Sequence, residues 1–365
     1  MLNNTLSYNI VMDADTYKLD HVNQYPKDTT HIYSTIVARK PNEFTDEVVV
    51  MGVQYIIKQY LLTRVTMEMI DEAQQEADEQ GQDFNREIWE HILYKHNGKL
   101  PLEIRSIPEG TVVPVGTAIT TIVNTDPKCF WLTSYVETLF QRGEWKMTTV
   151  ASISRAIYQD LLKFAKKTDT CAEYVGYALH NFGDRGADAH ESAIMAAMSH
   201  LAAGFNGTDC FQANRYIKHF YNTTKPFGSS VVASEHSVTC ALCPDAEARD
   251  DYAAAVRMVD RLEELLDAMD AGKKVIPIVS IVGDTYDIYR FTREFIGTRL
   301  KGRIERLGAR GGKIVVRPDS GDPQIVPIEI IEIKRPSPPT KNAKAIRMLW
   351  RREGEGLCRF RQRES

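Results

Sequence analysis

KVIPIVSIVGDTYDIY, residues 274–289, is a nearly continuous apolar run that stops at Gly283-Asp284-Thr285. A strand covered on both faces reads as unbroken β-branched sequence, whereas a half-exposed strand alternates, so this run is expected to be a buried parallel strand followed by its carboxyl-end loop. Two other segments repeat the form. SSVVAS (229–234) runs into Glu235-His236-Ser237, and GKIVVR (312–317) into Pro318-Asp319-Ser320-Gly321-Asp322. Helical patterns separate the strands. Residues 246–271 follow Asp245 as a candidate N-cap, carry the stripe Tyr252, Val256, Val259, Leu262, Leu266 and Met269, and stop at Gly272. Upstream, 190–203 places Ile194, Ala197, Met198 and Leu201 on one face and stops at Gly204. Strand alternating with helix gives an α/β fold with a mostly parallel sheet. Such sheets carry functional groups at the carboxyl ends of their strands, so three endings rich in Asp and His predict a shared site.

The first part of the chain reads differently. HIYSTIVAR (31–39) is a strand, EVVVMGVQYII (47–57) a strand leading into a helix, and 66–79 an acidic helix capped by Thr66. In 100–123, Gly and Pro punctuate short β-branched runs, as in a small antiparallel unit, and 130–165 is helical. The expected organisation is an α+β domain over 1–165, a partial α/β barrel over 166–331 and a basic, irregular tail over 332–365.

Composition limits the function classes. The 365 residues are 43% hydrophobic and 26% charged, values of a globular chain long enough for about two domains. No apolar run approaches the ~18 residues of a membrane span, and the N-terminus lacks the basic start and apolar stretch of a secretory signal. The six cysteines are scattered, so reduced thiols in a cytoplasm are expected. Cys240 and Cys243 form a single CxxC without a second pair, and read as packing residues of a helix start, so no metal ligands are assigned. The net charge of −4 divides into +7 over residues 334–365 and −11 over the remainder. The acidic body has no general attraction for nucleic acid, whereas the tail could have one.

The clusters at the strand ends, taken with other stretches, resemble one family. DADTYKLDHVNQYP (13–26), GVQYIIKQYL (52–61), NTDPKCFWLTSYVET (124–138), LHNFGDRG (179–186), FNGTD (205–209), ASEHS (233–237), GDTYDIY (283–289) and VVRPDSGDP (315–323) are similar to nicotinamide phosphoribosyltransferases, in the family's order. The resemblance implies an irregular α/β barrel of the type II phosphoribosyltransferase kind beside an antiparallel β domain. It implies transfer of phosphoribosyl from phosphoribosyl pyrophosphate to nicotinamide. Mg²⁺ would lie on the diphosphate, ATP would act as a promoting co-substrate, and a cytoplasmic homodimer would share its active sites.

It also implies roles. Phe182 would stack on the pyridine, with Tyr17 of the partner subunit on the other face, next to Asp15 in the substrate-binding segment; flat rings favour aromatic faces. Asp209 would accept from the carboxamide NH₂ and repel nicotinate, unless it is merely the N-cap of the following helix. Arg185 would lie near the amide oxygen and phosphate, Arg317 near the ribose phosphate, and Arg39 would reach the diphosphate across the dimer. Asp284 and Asp319 would face the positive charge that develops on the ribose. His236 would be the phosphorylated histidine, its ring oriented by Glu235.

Beyond SGDP the family's GDG loop and glycine-rich phosphate loop have no counterpart, and 334–365 contains three prolines within 336–339 followed by Arg doublets. The expectation is a C-terminally truncated homologue whose tail is out of frame, with strand edges left open and phosphoribosyl pyrophosphate binding impaired. A basic extension that binds nucleic acid or an acidic partner, or a divergent folded end, are the other readings of the tail. For the whole chain, the alternatives are a nicotinate phosphoribosyltransferase and a non-catalytic binding protein. A metal hydrolase is disfavoured because only His236 sits near a strand end.

Overall fold

The computed structural model describes residues 6–168, 172–243, 247 and 249–333. Residues 334–365 of the expected tail and Asp245 lie outside them, whereas 332 and 333 close the helix Val326–Ile333. The described residues form two units, those within 1–162 and 172–229, and those within 163–171 and 230–365.

In the first unit, strands β1 (Tyr33–Val37), β3 (Leu102–Ser106) and β5 (Ala118–Asn124) form an antiparallel sheet in the order β1-β5-β3. β2 (Glu47–Val49) pairs antiparallel with β4 (Val112–Pro114). The expected antiparallel unit over 100–123 is therefore present, with β3 and β5 in one sheet and β4 in the other. The helix Met67–Glu79 begins where expected, and Thr66 Oγ1 accepts from Met69 N at 3.3 Å.

The helix Glu137–Lys167 buries Leu139, Phe140, Met147 and Ala151 in the core of this unit. Its polar residues meet backbone donors beside β2: Ser152 Oγ accepts from Val49 N at 2.8 Å and Thr148 Oγ1 from Met51 N at 3.2 Å. Glu144 of the same helix is buried, and Thr120 Oγ1 on β5 donates to its Oε1 at 2.7 Å. Trp89, Trp131 and Tyr135 pack edge to face, with ring centroids 4.9–5.4 Å apart. Each such pair contributes about 0.5–1.5 kcal/mol beyond its buried area.

Two short parallel strands, β6 (His180–Asn181) and β7 (Gly207–Thr208), also belong to this unit. The sequence reading places 172–229 with the barrel. In the structure these residues share the first unit's core, because Ile194, Met198 and Leu201 of His190–Ala202 and Ile217 and Phe220 of Ala213–Phe220 join the same apolar cluster. Helix His190–Ala202 stops before Gly204, whose φ of +111° is open to glycine and strained for other residues.

The second unit is built on three parallel strands in the order β10-β9-β8: β8 (Val232–Ala233), β9 (Ile278–Val282) and β10 (Lys313–Arg317). These are the three runs read from sequence. Helix Tyr252–Asp270 packs against β9 and buries Val259, Leu262 and Leu266. It starts six residues later than expected, at a point where Asp250 accepts from Tyr252 N at 2.8 Å. Phe291, Phe295, Ile304 and Leu307 complete this core. The CxxC pair is not packed as expected: Cys240 is exposed and Cys243 half-buried at the C-terminal end of helix His236–Leu242. The apolar run PIEIIEI lies within the helix Val326–Ile333. Among the described residues no helix is long and apolar enough to cross a membrane.

Candidate active site

The second unit brings three strand ends together. Ser234, just past β8, donates its N–H to Ser280 O at 2.9 Å and accepts from Val282 N through Oγ at 3.0 Å. Gly283 N donates to Arg317 O at 3.2 Å, and Arg317 Nη2 donates to Ser234 O at 3.1 Å. These bonds fix the register of the loops that leave the sheet. Gly283 is required for packing: a Cβ there would lie 2.4 Å from the Phe291 ring.

The side chains on these loops converge on His236, the first residue of its helix. Its Nδ1 lies 3.0 Å from Thr285 Oγ1, and its Nε2 lies 3.4 Å from Asp319 Oδ2 and 3.8 Å from Asp284 Oδ1. Asp284 is almost covered. Its Oδ2 accepts from Asp319 N at 2.7 Å and from Ser320 Oγ at 2.6 Å. Its Oδ1 is buried and has no hydrogen-bond partner among the described residues. Arg317 Nε lies 3.8 Å from Asp319 Oδ1. The predicted residues His236, Asp284, Asp319 and Arg317 thus form one cluster in which an imidazole faces two carboxylates and a guanidinium closes one side.

Sequence reasoning missed Thr285 and Ser320. Glu235 was expected to orient the His236 ring, but the hydroxyl that holds Nδ1 is Thr285, while Glu235 accepts from Ser237 Oγ. Both missed groups sit beside the predicted aspartates in GDT and PDS, but a hydroxyl in a polar loop gives no signal of its own.

The other predicted residues lie in the first unit. Asp209 follows β7, and its N–H donates to Asn181 O at 2.9 Å, extending the parallel pairing. Its Oδ1 lies 2.8 Å from His180 Nε2, and the His180 ring lies 4.5 Å from that of Phe182. Asp209 is not a helix cap, because the next helix starts at Ala213 with Gln212 before it. His180 is a further residue that the sequence reading did not single out; only the parallel pairing of β6 with β7 places it beside Asp209. Phe182 is 53% exposed. Arg185 lies exposed in the turn Asp184–Gly186.

Asp15 precedes the turn Thr16–Asp20 and accepts from Thr138 Oγ1. In that turn Lys18 is buried, donating to Glu137 Oε2 at 2.7 Å and Ser134 O at 2.8 Å, while Tyr17 is 62% exposed. The buried lysine pins the segment and leaves the tyrosine ring outward. Arg39 is exposed just beyond β1.

The parallel strands, with ionisable side chains at their carboxyl ends, define an α/β protein. The chain is similar to the solved structures of human nicotinic acid phosphoribosyltransferase (TM-score 0.56, 16% identity, 92% of this chain and 66% of that one) and of nicotinate-nucleotide pyrophosphorylase from Pyrococcus furiosus (TM-score 0.51, 14% identity, 95% and 66%). Residues 9–104 match the nicotinamide phosphoribosyltransferase N-terminal domain, and 177–335 match the nicotinate phosphoribosyltransferase (NAPRTase) family. Nicotinamide phosphoribosyltransferase of Xanthomonas campestris pv. campestris is 34% identical over 325 residues, covering 89% of this chain and 64% of the relative. That of Acinetobacter baylyi is 31% identical over 356 residues, covering 92% and 66%. Over most of its length the chain is similar to nicotinamide phosphoribosyltransferases. It spans just under two thirds of the length of these curated relatives.

Proposed function

We propose that this chain carries nicotinamide phosphoribosyltransferase chemistry, transferring phosphoribosyl from phosphoribosyl pyrophosphate to nicotinamide and releasing pyrophosphate. The observation that carries the reading is the convergence of His236, Asp284, Asp319 and Arg317 at three strand ends, 3.4–3.8 Å apart at their charged atoms. Breaking the anomeric bond leaves positive charge on the ribose, which carboxylates stabilise. Asp284 and Asp319 are the groups proposed for that charge, and Arg317 for the phosphate.

His236 is the proposed acceptor of a phosphoryl group from ATP. With Thr285 Oγ1 accepting from Nδ1–H, Nε2 keeps the lone pair that would attack. The buried Oδ1 of Asp284 and the adjacent Asp319 suit a hard cation, which takes oxygen ligands. Bound there, Mg²⁺ would neutralise charge on the diphosphate.

In this reading Phe182 stacks on the pyridine ring, Asp209 accepts from the carboxamide NH₂, and Arg185 lies at the amide oxygen. The second ring face and the diphosphate would be completed by a homodimer, through the partner subunit's Tyr17 and the partner subunit's Arg39, with Asp15 positioning the tyrosine segment. His180 next to Asp209 holds the carboxylate in place. The nicotinate alternative would put a second carboxylate against Asp209, which like-charge repulsion disfavours.

The test compares nicotinamide and nicotinate as substrates of the purified chain with phosphoribosyl pyrophosphate, Mg²⁺ and ATP, beside an Asp209→Asn variant. Nicotinamide mononucleotide is the expected product, and the variant should lose roughly 10–100-fold of the amide preference, the effect of about 1–3 kcal/mol at one charged hydrogen bond. Preference of the unaltered chain for nicotinate would overturn the role of Asp209.

A further inference from the structure

Four ligand-type side chains meet in the first unit, apart from the residues used above. His91 and His96 come from the helix Arg86–His96, and Asp126 and Cys129 from the turn that follows β5. The four donor atoms all lie within 4.8 Å of one another. Asp126 Oδ2 is 2.8 Å from His91 Nε2 and 2.6 Å from His96 Nε2, and the two rings are 5.6 Å apart. We propose that His91, His96, Asp126 and Cys129 form a binding site for one divalent transition-metal ion of the zinc class, tying the end of this helix to the turn.

The donor set fits that class. Two imidazoles, a carboxylate and a thiolate supply four donors of the kinds zinc takes in tetrahedral sites, whereas Mg²⁺ or Ca²⁺ would ask for oxygen donors alone. Bond lengths of about 2.0–2.3 Å place tetrahedral ligands roughly 3.3–3.7 Å apart. The observed spacings fall on both sides of that range, so small side-chain rotations suffice.

The turn is prepared for the task. Asp126 Oδ1 accepts from Lys128 N at 2.9 Å, which turns Oδ2 towards the rings. The Asp126 carbonyl accepts from Asn124 Nδ2 and from Cys129 N, each at 2.9 Å. Cys129 is fully buried, while the histidines and Asp126 keep 14–25% of their side-chain surface open, so an ion enters from the imidazole side. Binding would displace the Cys129 thiol proton and move each imidazole proton from Nε2 to Nδ1. Sequence alone offers only His91-x₄-His96 and Asp126-x₂-Cys129, two weak pairs 30 or more positions apart, which the fold joins.

The experiment titrates the chelator-stripped full chain with Co²⁺ and records its absorption. One equivalent should produce the intense visible bands of tetrahedral cobalt and a near-ultraviolet thiolate charge-transfer band. Cys129→Ser should abolish the charge-transfer band. His91→Gln with His96→Gln, at partly exposed positions that tolerate change, should weaken Co²⁺ binding by more than the roughly 10–100-fold that loss of a hydrogen bond behind a ligand costs. A Cys240→Ser/Cys243→Ser variant should keep both signals. The proposal is overturned if no tetrahedral spectrum forms, leaving a metal-free network of two histidines on one carboxylate. It is equally overturned if the bands persist in the Cys129 and histidine variants, or vanish in the Cys240/Cys243 variant.

Discussion

Replacing Glu144 by Gln should cost the first unit about 1–2 kcal/mol near pH 4, where only the unpaired NH₂ counts, and become a net gain at neutral and alkaline pH. Burial raises the Glu144 carboxyl; the bond from Thr120 opposes the shift and the negative charge of Glu109 adds to it, so that it stands at about 7 against an ordinary 4.5. That difference corresponds to about 3 kcal/mol in favour of the neutral acid. Below 4.5 the group is protonated in both the folded and the unfolded chain and costs nothing. As pH rises from 4.5 towards 7, the unfolded chain releases its proton while the folded one retains it, so stability is lost. Above about 7 both states are ionised and the whole penalty is present. Glutamine cannot ionise, and its amide oxygen still accepts from Thr120. Its NH₂ takes the position of Oε2, which has no partner among the described residues, at a pH-independent cost of about 1–2 kcal/mol. The signature is therefore the slope: the gain of the variant over the parent should grow by about 3 kcal/mol between pH 4 and pH 8.5, roughly 6–12 °C in Tm for a unit of this size. Tryptophan fluorescence is the suitable probe, because Trp89, Trp131 and Trp145 all lie in this unit, whereas Asp251, which burial also raises, to about 6, lies in the other. Parallel pH profiles for parent and variant would refute the reasoning.

The remaining predictions concern the site. His236→Ala should abolish the stimulation of product formation by ATP, measured as the ratio of rates with and without ATP; an unchanged ratio would remove His236 from phosphoryl transfer. Thr285→Val should lower the same ratio less, since it removes only the hydroxyl that holds the ring, and the loss should appear without a change in nicotinamide affinity. Phe182→Ala should weaken nicotinamide binding roughly tenfold in calorimetry, the effect of about 1–2 kcal/mol of stacking, with little effect on folding because the ring is more than half exposed.

Legibility in the sequence followed the range of the interactions. The three parallel strands were readable because continuous β-branched runs carry their own signal, and each gave its terminal cluster directly. Thr66 as a cap and the stop before Gly204 are equally local. The start of helix Tyr252–Asp270 was misplaced because Asp245 and Asp250 offer similar capping chemistry, and only the structure shows that Asp250 meets Tyr252 N. The grouping of 172–229 with the first unit was not readable, since it depends on which core Ile194, Leu201 and Phe220 enter. Thr285 beside His236 and His180 beside Asp209 depend on contacts spanning 49 and 29 positions. No local pattern encodes such pairs.

Asp284 shows why function and structure at this site need separate variants. Its Oδ2 is occupied by the backbone and hydroxyl of the loop after β10, which it holds against the end of β9. Its Oδ1 is buried and faces Nε2 of His236 at 3.8 Å. One oxygen supports the loop and the other is available for chemistry, so loss of activity in Asp284→Ala would not say which was removed. Asp284→Asn divides them. The amide oxygen can still accept from Asp319 N and Ser320 Oγ, while the NH₂ replaces the charged oxygen opposite the imidazole. If the charge serves the reaction, Asn should keep the thermal stability of the second unit yet lose activity to nearly the same extent as Ala. Ser320→Ala, which weakens only the loop contact, should show the reverse balance. Full activity in Asp284→Asn would mean that this carboxylate is there to hold the loop, and the charge facing the ribose would then fall to Asp319 alone.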